Sequence, residues 1–340
     1  MPFRSGFVSI IGLPNAGKST LTNALVGEKV AIVTRKPQTT RNRILGVLDV
    51  DAVKGKHPAA QIVLVDTPGV HKPSTLLDKR MLQAIYDALD ERDAVLHVID
   101  VTRPFRPEPV VAAEERQPER EDTLVLQMLA KLDCPVFLVL NKIDALEKKE
   151  DLLPLIARYS GLREYAAVLP ISARSGDGLE RLLAAVIDRL PEGKRIFPKG
   201  QFTDQPERFL AAEIIRENIL SCTGEEVPYA TAVVIEQFEE PAPRPAAAGK
   251  AKALPLTRIA AAIFCERPGQ KAILIGKGGT MLKRIGTGAR HQIEAMLGTR
   301  VHLELFVKVA DEWRGSKTFL DSLDWRNQME ALARRTKEES

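Results

Sequence analysis

Short unbroken apolar runs dominate the first half of the chain. Phe7–Ile11, Gln61–Val65, Ala94–Ile99, Val136–Leu140 and Ala167–Leu169 are of strand length and show little polar alternation. That pattern predicts strands buried on both faces of a mixed, mostly parallel sheet. Thr20–Val26 and Gly178–Leu190 read as helices beside it. The pattern changes after residue 206. Glu207–Ser221 reads as an amphipathic helix, Ala230–Phe238 and Leu256–Cys265 as strands, and Thr280–Leu297 as a long helix. Val301–Val309 alternates, with Leu303, Leu305 and Val307 turned inward as in a half-buried strand. Pro191, Gly193, Pro198 and Pro206 punctuate the junction. The expected organisation is an α/β domain over 5–190, a linker over 191–206, an α+β domain over 207–313 and a helical tail over 314–340.

The first two elements enclose Gly12-Leu13-Pro14-Asn15-Ala16-Gly17-Lys18-Ser19, which fits G-x-x-x-x-G-K-[ST] between a strand and a helix. Glycines let the backbone wrap a polyphosphate with its N–H groups inward, and the helix N-terminus adds partial positive charge. Lys18 then reaches the β- and γ-phosphates, Ser19 holds Mg²⁺, and Thr20 continues the loop. The loop alone specifies a nucleoside triphosphate but no base.

Asn141-Lys142-Ile143-Asp144 supplies the base. It follows the Val136–Leu140 run, and ligands of open parallel sheets bind beyond the C-terminal strand ends. The Asp144 carboxylate can accept both the ring N–H and the exocyclic amine of guanine. Adenine offers an acceptor where guanine has that N–H, and such sites discriminate by roughly 10⁴-fold. Asn141 ties this loop to the phosphate loop and Lys142 lies along the base. Ile171-Ser172-Ala173 backs the guanine site, through Ser172 and Ala173. Asp66-Thr67-Pro68-Gly69 follows a strand. Asp66 is expected to hold Mg²⁺ through water, and the Gly69 N–H to sense the γ-phosphate. In Lys36-Pro37-Gln38-Thr39-Thr40-Arg41, a threonine is expected as second Mg²⁺ ligand; Thr40 is favoured over Thr39.

This order of loops resembles the translation-factor-related GTPases and, within them, the Era-type ribosome-assembly GTPases. The resemblance rests on Gly12–Ser19, Lys36–Arg41, Asp66–Val70 and Asn141–Asp144 and covers about residues 5–190. Ras-like enzymes orient the attacking water with a Gln after Asp-x-x-Gly, whereas this chain has Val70. Unaided hydrolysis is therefore expected near Ras's intrinsic rate, about 10⁻⁴ to 10⁻³ s⁻¹. The resemblance also implies catalytic parts for Lys18, Asn15, Thr40 and Gly69. It makes Asn15 a candidate K⁺ ligand in place of an arginine finger; the alternative is that Asn15 merely caps the loop.

In the second domain, Gln270–Ile275 leads into Gly276-Lys277-Gly278-Gly279, a GXXG loop of the kind that clamps about four nucleotides of a single strand. Arg267, Lys271, Lys277, Lys283, Arg284, Arg290 and Arg300 face one acid, Glu294, so this segment carries a net +6 while all 340 residues carry only +4. Charge this concentrated points to nucleic acid. Lys271, Ile275, Gly276, Lys277, Gly278, Gly279, Lys283, Arg284 and Arg290 are the candidate RNA-binding residues. The αββααβ order resembles a type II KH domain. Val227-Pro228-Tyr229 and Leu303–Val309 again resemble the Era type, over about residues 205–313.

Composition changes this picture little. Hydrophobic residues at 44% and charged residues at 28% describe an ordinary globular protein. No apolar run reaches a membrane span, and a strand from Phe7 leaves no room for a signal peptide. Cys134, Cys222 and Cys265 lack zinc spacing and suit a reducing compartment. Trp313 and Trp325 are expected to pack, with stacking of Trp313 near the RNA groove as the alternative. Val53–Ala60, Arg103–Asp122 and Glu239–Pro255 read as insertions in mobile, solvated loops. The expected protein is a cytoplasmic, monomeric GTPase using GTP/GDP, Mg²⁺ and a candidate K⁺. Its implied partners are the small ribosomal subunit and the 3′ end of its rRNA, with no DNA. Arg334, Arg335 and Lys337 offer peripheral contact with the inner membrane, opposed by Glu338 and Glu339. A GTPase of tRNA modification or protein targeting is the alternative, which the GXXG loop disfavours. A metabolic kinase is disfavoured by Asn141–Asp144.

Overall fold

The computed structural model describes residues 2–103, 121–224, 226–240 and 255–329. The chain divides into two compact units, the first holding nearly all of residues 1–204 and the second residues 205–340.

Strands β1 (Arg4–Ile11), β2 (Ile44–Val50), β3 (Ala60–Asp66), β4 (Ala94–Asp100), β5 (Val136–Asn141) and β6 (Ala167–Ile171) form one sheet in the order β2-β3-β1-β4-β5-β6. Every pairing is parallel except β2 with β3. The apolar runs are buried from end to end in β3 and β5, as expected of strands covered on both faces. Sequence reading did not locate β2, because Gly46 interrupts an edge strand that offers no long apolar run. Its glycine is a packing requirement: a Cβ there would sit 2.8 Å from a Val26 methyl.

Register sets the site. Ile10 pairs with both Asp66 and Leu96, and Asp100 pairs with Asn141. The C-terminal ends of β1, β3, β4 and β5 therefore lie along one rim. Their loops deliver the candidate residues there, at the point where strand order reverses. Helices α1 (Lys18–Val26), α2 (Leu76–Asp90), α3 (Glu121–Ala130), α4 (Leu152–Leu162) and α5 (Leu179–Arg189) accompany the sheet.

Val53–Ala60 forms a turn with residues 53–56 exposed, closed by Val53 N–H on His57 O at 3.0 Å and Lys56 N–H on Val53 O at 2.9 Å. Residues 191–204 run along the first unit: Val47 N–H donates to Phe202 O at 2.9 Å, and Gln61 Oε1 accepts from Ile196 and Phe197 N–H. Most of the 103–122 and 239–255 insertions lies outside the described residues.

The second unit runs α6 (Glu207–Cys222), β7 (Ala232–Glu239), β8 (Leu256–Cys265), α7 (Pro268–Ile275), α8 (Thr280–Leu297), β9 (Arg300–Val309) and α9 (Lys317–Leu323). β7 is antiparallel to β8 and β9 is parallel to it. α6 is not amphipathic as expected: residues 214–220 are all buried, Arg216, Glu217 and Asn218 included. Arg216 pairs with Glu213 at 2.6 Å, and Asn218 Nδ2 donates to Ile214 O at 2.9 Å. β9 alternates, with Val301 buried, Leu303, Leu305 and Val307 packed on the core, and the intervening side chains exposed. Trp313 is buried and its indole donates to Ala230 O at 2.9 Å, so it packs and does not stack on a ligand. Trp325 packs against Phe209. The expected Leu320–Arg335 helix begins earlier and breaks at Asp324; residues beyond 329, including Arg334, Arg335 and Lys337, lie outside the described residues.

Candidate functional site

The phosphate loop leaves β1 and enters α1. Gly17 has φ +93°, and a Cβ on it would lie 2.3 Å from Asn141 Nδ2. Only glycine satisfies both demands. Asn15 is left-handed at φ 64°, a conformation asparagine tolerates, so the backbone alone gives one reason for its presence. Lys18 is buried, with Nζ donating to Gly12 O at 3.1 Å and Leu13 O at 3.0 Å. Burial pulls its ammonium down to about 8; Asp66 opposes this shift and Arg103 adds to it.

Three oxygen donors converge beside it. Ser19 Oγ donates to Asp66 Oδ2 at 2.6 Å and lies 2.8 Å from Thr40 Oγ1. Thr39 instead bonds Thr34 Oγ1 and Lys36 O within its own loop, so the geometry distinguishes the two threonines. Burial raises the Asp66 carboxyl to about 6, against Lys18, Ser19, Thr40 and Thr67. Asp66 Oδ1 is buried without a hydrogen-bond partner among the described residues. A hard divalent cation with water in its shell suits this donor set, so the residues fit Mg²⁺.

Asn141 is the joint of the site. Its Nδ2 donates to Ala16 O at 2.9 Å and its Oδ1 accepts from Ala173 N–H at 2.9 Å, linking the phosphate loop to the Ser172–Ala173 loop. Ser172 Oγ accepts from Ser175 N–H, closing that turn. Asp144 is exposed in a single 3₁₀ turn, and Lys142 is left-handed at φ 72°. The open cleft is lined by Pro14, Asn15, Gly17, Lys18, Ser19, Thr20, Thr40 and Gly69, among others. Gly12, Leu13 and Ala16 form the backbone behind them. Thr67 is not brought into it: its hydroxyl is spent on Ile10 O at 2.6 Å. Pro68 is likewise buried.

Val70 is fully buried in the cluster of Ile11, Ile85 and Leu89. Its side chain therefore faces away from any nucleotide. The next residue, His71, escaped sequence reading. His71 Nδ1 lies 2.8 Å from Gly69 O, and its Nε2 lies 3.1 Å from both Asp78 Oδ1 and Gln38 Nε2. Gln38 is itself left-handed at φ 56°. The loop holding Thr40 is thus tied to the loop holding Gly69, and no local pattern announces a pairing across 33 residues. Asp100 and Arg103 were missed as well. Burial raises the Asp100 carboxyl, but bonds from Lys142 and Thr102 outweigh it and hold it below the usual carboxylate range.

In the second unit, Gly276, Gly278 and Gly279 have φ of +72°, +60° and +79° between α7 and α8. Beside this loop a groove of about 410 Å³ is lined by Gly279, Leu282, Lys283, Gly286, Thr287, Arg290, Leu303 and Leu305. The floor is apolar and the rim cationic, which suits unpaired bases with phosphates at the edge. Lys277 and Gly278 are exposed on the loop. Of the other candidates, Lys271 and Ile275 lie on α7 and Arg284 on the outer side of α8, outside the groove lining. The floor residues were missed because an isolated leucine signals core, not contact.

Residues 7–142 match the family described as 50S ribosome-binding GTPase, and residues 226–314 the KH domain family. GTPase Era of Geotalea uraniireducens is 46% identical over 311 residues, covering 92% of this chain and 94% of that protein. GTPase Era of Ruminiclostridium cellulolyticum is 40% identical over 326 residues, covering 96% and 99%. A crystal structure of an Aquifex aeolicus Era variant bound to GDP and AlF4⁻ superposes with a TM-score of 0.82 at 36% identity, covering 95% of this chain and 99% of that one. An Era complex with MgGDPNP and nucleotides 1506–1542 of 16S rRNA gives a TM-score of 0.82 at 37% identity over the same shares.

Proposed function

This chain belongs to the Era family of GTPases, and we propose that it is a GTP-hydrolysing switch that binds small-subunit rRNA near its 3′ end during assembly of that subunit. The observation that carries the reading is the pairing of two sites in one chain. One is a phosphate loop with converging Ser19, Thr40 and Asp66; the other is a GXXG loop beside an apolar groove. The 50S description belongs to a family matched over residues 7–142 alone, whereas the 16S rRNA complex superposes over 95% of the chain. The small subunit is therefore the favoured partner. Assembly of ribosomal subunits is work of the cytoplasm, which is the compartment this reading implies; separately, among the described residues no helix is long and apolar enough to cross a membrane. Peripheral contact with the inner membrane is a separate proposal resting on Arg334, Arg335 and Lys337, and liposome sedimentation tests it.

In this reading the phosphate-loop N–H groups and Lys18 hold the polyphosphate, and Asp144 reads guanine. Ser19 and Thr40, with Asp66 through water, would hold Mg²⁺, which would neutralise phosphate charge. Thr40 and Gly69 distinguish GTP from GDP, because only GTP offers the γ-phosphate. With Val70 buried, no side chain at that position orients the attacking water. Hydrolysis is slow, and Asn15 would hold a K⁺ ion, whose charge would stand in for the missing arginine finger. The KH domain of residues 207–313 grips RNA through Lys277, Lys283 and Arg290, and the nucleotide state sets how firmly. Crosslinking the protein to total RNA, with a GTP analogue and with GDP, tests this. Enrichment of the small-subunit rRNA 3′ end supports it, and enrichment of tRNA alone favours the tRNA-modification alternative.

A further inference from the structure

We propose that the turn Asp100–Arg103 is a positioning element of the nucleotide site that sets how long a guanine nucleotide stays bound. Asp100 acts through Lys142, and Arg103 acts through the phosphate loop. The inference rests on the guanine-nucleotide reading above. β4 ends at Asp100, directly across the ladder from Asn141, where the guanine-reading loop begins. Asp100 Oδ2 accepts from Lys142 Nζ at 2.5 Å. Asp100 Oδ1 accepts from Thr102 N–H at 3.0 Å and Thr102 Oγ1 at 2.6 Å. Both carboxylate oxygens are engaged, so the group is fixed and holds the Lys142 ammonium at one point. Val101 N–H on Asn141 O at 3.1 Å adds a backbone tie to the same loop.

At the other end of the turn, Arg103 Nη2 donates to Pro14 O at 2.9 Å. In a trans peptide the carbonyl points opposite the following N–H. A cation on Pro14 O therefore polarises the peptide whose N–H belongs to Asn15 and strengthens that donor. One four-residue turn thus touches the base-reading loop and the phosphate-reading loop together. No motif announces it, because Asp-x-Thr-Arg after a strand is an ordinary polar turn.

Release of mant-GDP from the full-length protein tests the assignment. Asp100→Asn keeps the shape but removes the charge facing Lys142, and release is expected to quicken about 10-fold, the scale of one charge-assisted bond. Arg103→Gln is expected to quicken it about 3-fold. Because Asp100 works through Lys142, Asp100→Asn with Lys142→Ala should release no faster than Lys142→Ala alone; a role confined to folding would not give that equality. Multiplying effects in the double variant, or an unchanged rate in Asp100→Asn, would overturn the inference. If Asp100→Asn melts several degrees lower, Thr102→Val carries the test with an expected quickening of about 2-fold, and an unchanged rate there overturns it equally. Wild-type protein that fails to bind mant-GDP would sink the guanine reading itself. Wild-type binding with no effect of these changes sinks only the positioning turn.

Discussion

The phosphate loop and the GXXG loop are both glycine hinges before a helix, yet they are built on opposite terms. Around Gly17 the space is full: a side chain there would strike Asn141. Lys18 is buried, and the neighbouring Asp66, Asn141 and Thr67 are buried as well. Around Gly278 and Gly279 nothing lies within 4 Å of an added Cβ, and only the left-handed backbone calls for glycine. Lys277 stands in solvent. The first loop is packed and buried, the setting in which hydrogen bonds to a ligand become specific. The second is an open charged edge, the setting in which contacts are screened by salt.

The largest expected effect lies in the specificity of the first site. In Asp144→Asn the side-chain oxygen still accepts the ring N–H, while its amide now donates to the carbonyl that xanthine carries in place of the amine. Preference should swing from GTP to XTP by on the order of 10⁴-fold; competition binding that leaves GTP preferred would remove Asp144 from the base site. Lys18→Ala should weaken GTP by about 100-fold or more, since a cation meeting phosphate is lost. Calorimetry with RNA should be unaffected by that change, and if both ligands weaken together the two loops are not the separate devices described.

Breaking the second loop should leave the first intact. Lys277→Asp with Gly278→Asp is expected to cut RNA affinity about 10-fold or more while intrinsic GTP hydrolysis stays the same. In the wild type, three phosphate contacts from Lys277, Lys283 and Arg290 give a slope near −2, so raising salt from about 50 to 200 mM should cost about 20-fold in RNA affinity. A flat salt response would mean that charge is not what grips the strand.

Two smaller effects sharpen the contrast. Gly17→Ala strains the backbone and collides with Asn141, and should cost about 2–4 kcal/mol in denaturant unfolding. Gly278→Ala faces open space and should cost only about 1–2 kcal/mol, the price of a left-handed residue. Equal losses would show that the two loops are packed alike. The smallest expected change is a few-fold faster hydrolysis in K⁺ than in Na⁺ at equal ionic strength, since a potassium ion would add one charge at the site of the missing finger; equal rates leave Asn15 as a turn residue only.

Much of this was legible along the chain, for a definite reason. A polyphosphate, a guanine edge and a short stretch of RNA backbone are each small enough to be met by a handful of consecutive residues. Gly12–Ser19, Asn141–Asp144 and Gly276–Gly279 could therefore be recognised before any fold was known. The strands β3 and β5 were equally plain, because burial on both faces leaves unbroken apolar runs. The edge strand β2, covered less evenly and carrying Gly46, was not. α6 was misread because a helix enclosed on nearly every side keeps polar residues such as Arg216 and Asn218 that imitate a solvent face.

The sequence by itself determined which ligands' chemistry the chain carries, since each recognition loop is a local string whose backbone and side chains act together. Only the tertiary structure decided how those strings are held: Asn141 between Ala16 and Ala173, Gln38 on His71, Asp100 on Lys142, Arg103 on Pro14, and leucines of α8 and β9 under one groove. These contacts join residues far apart along the chain, and strand order and register bring them together. No periodicity within a single segment encodes such a meeting.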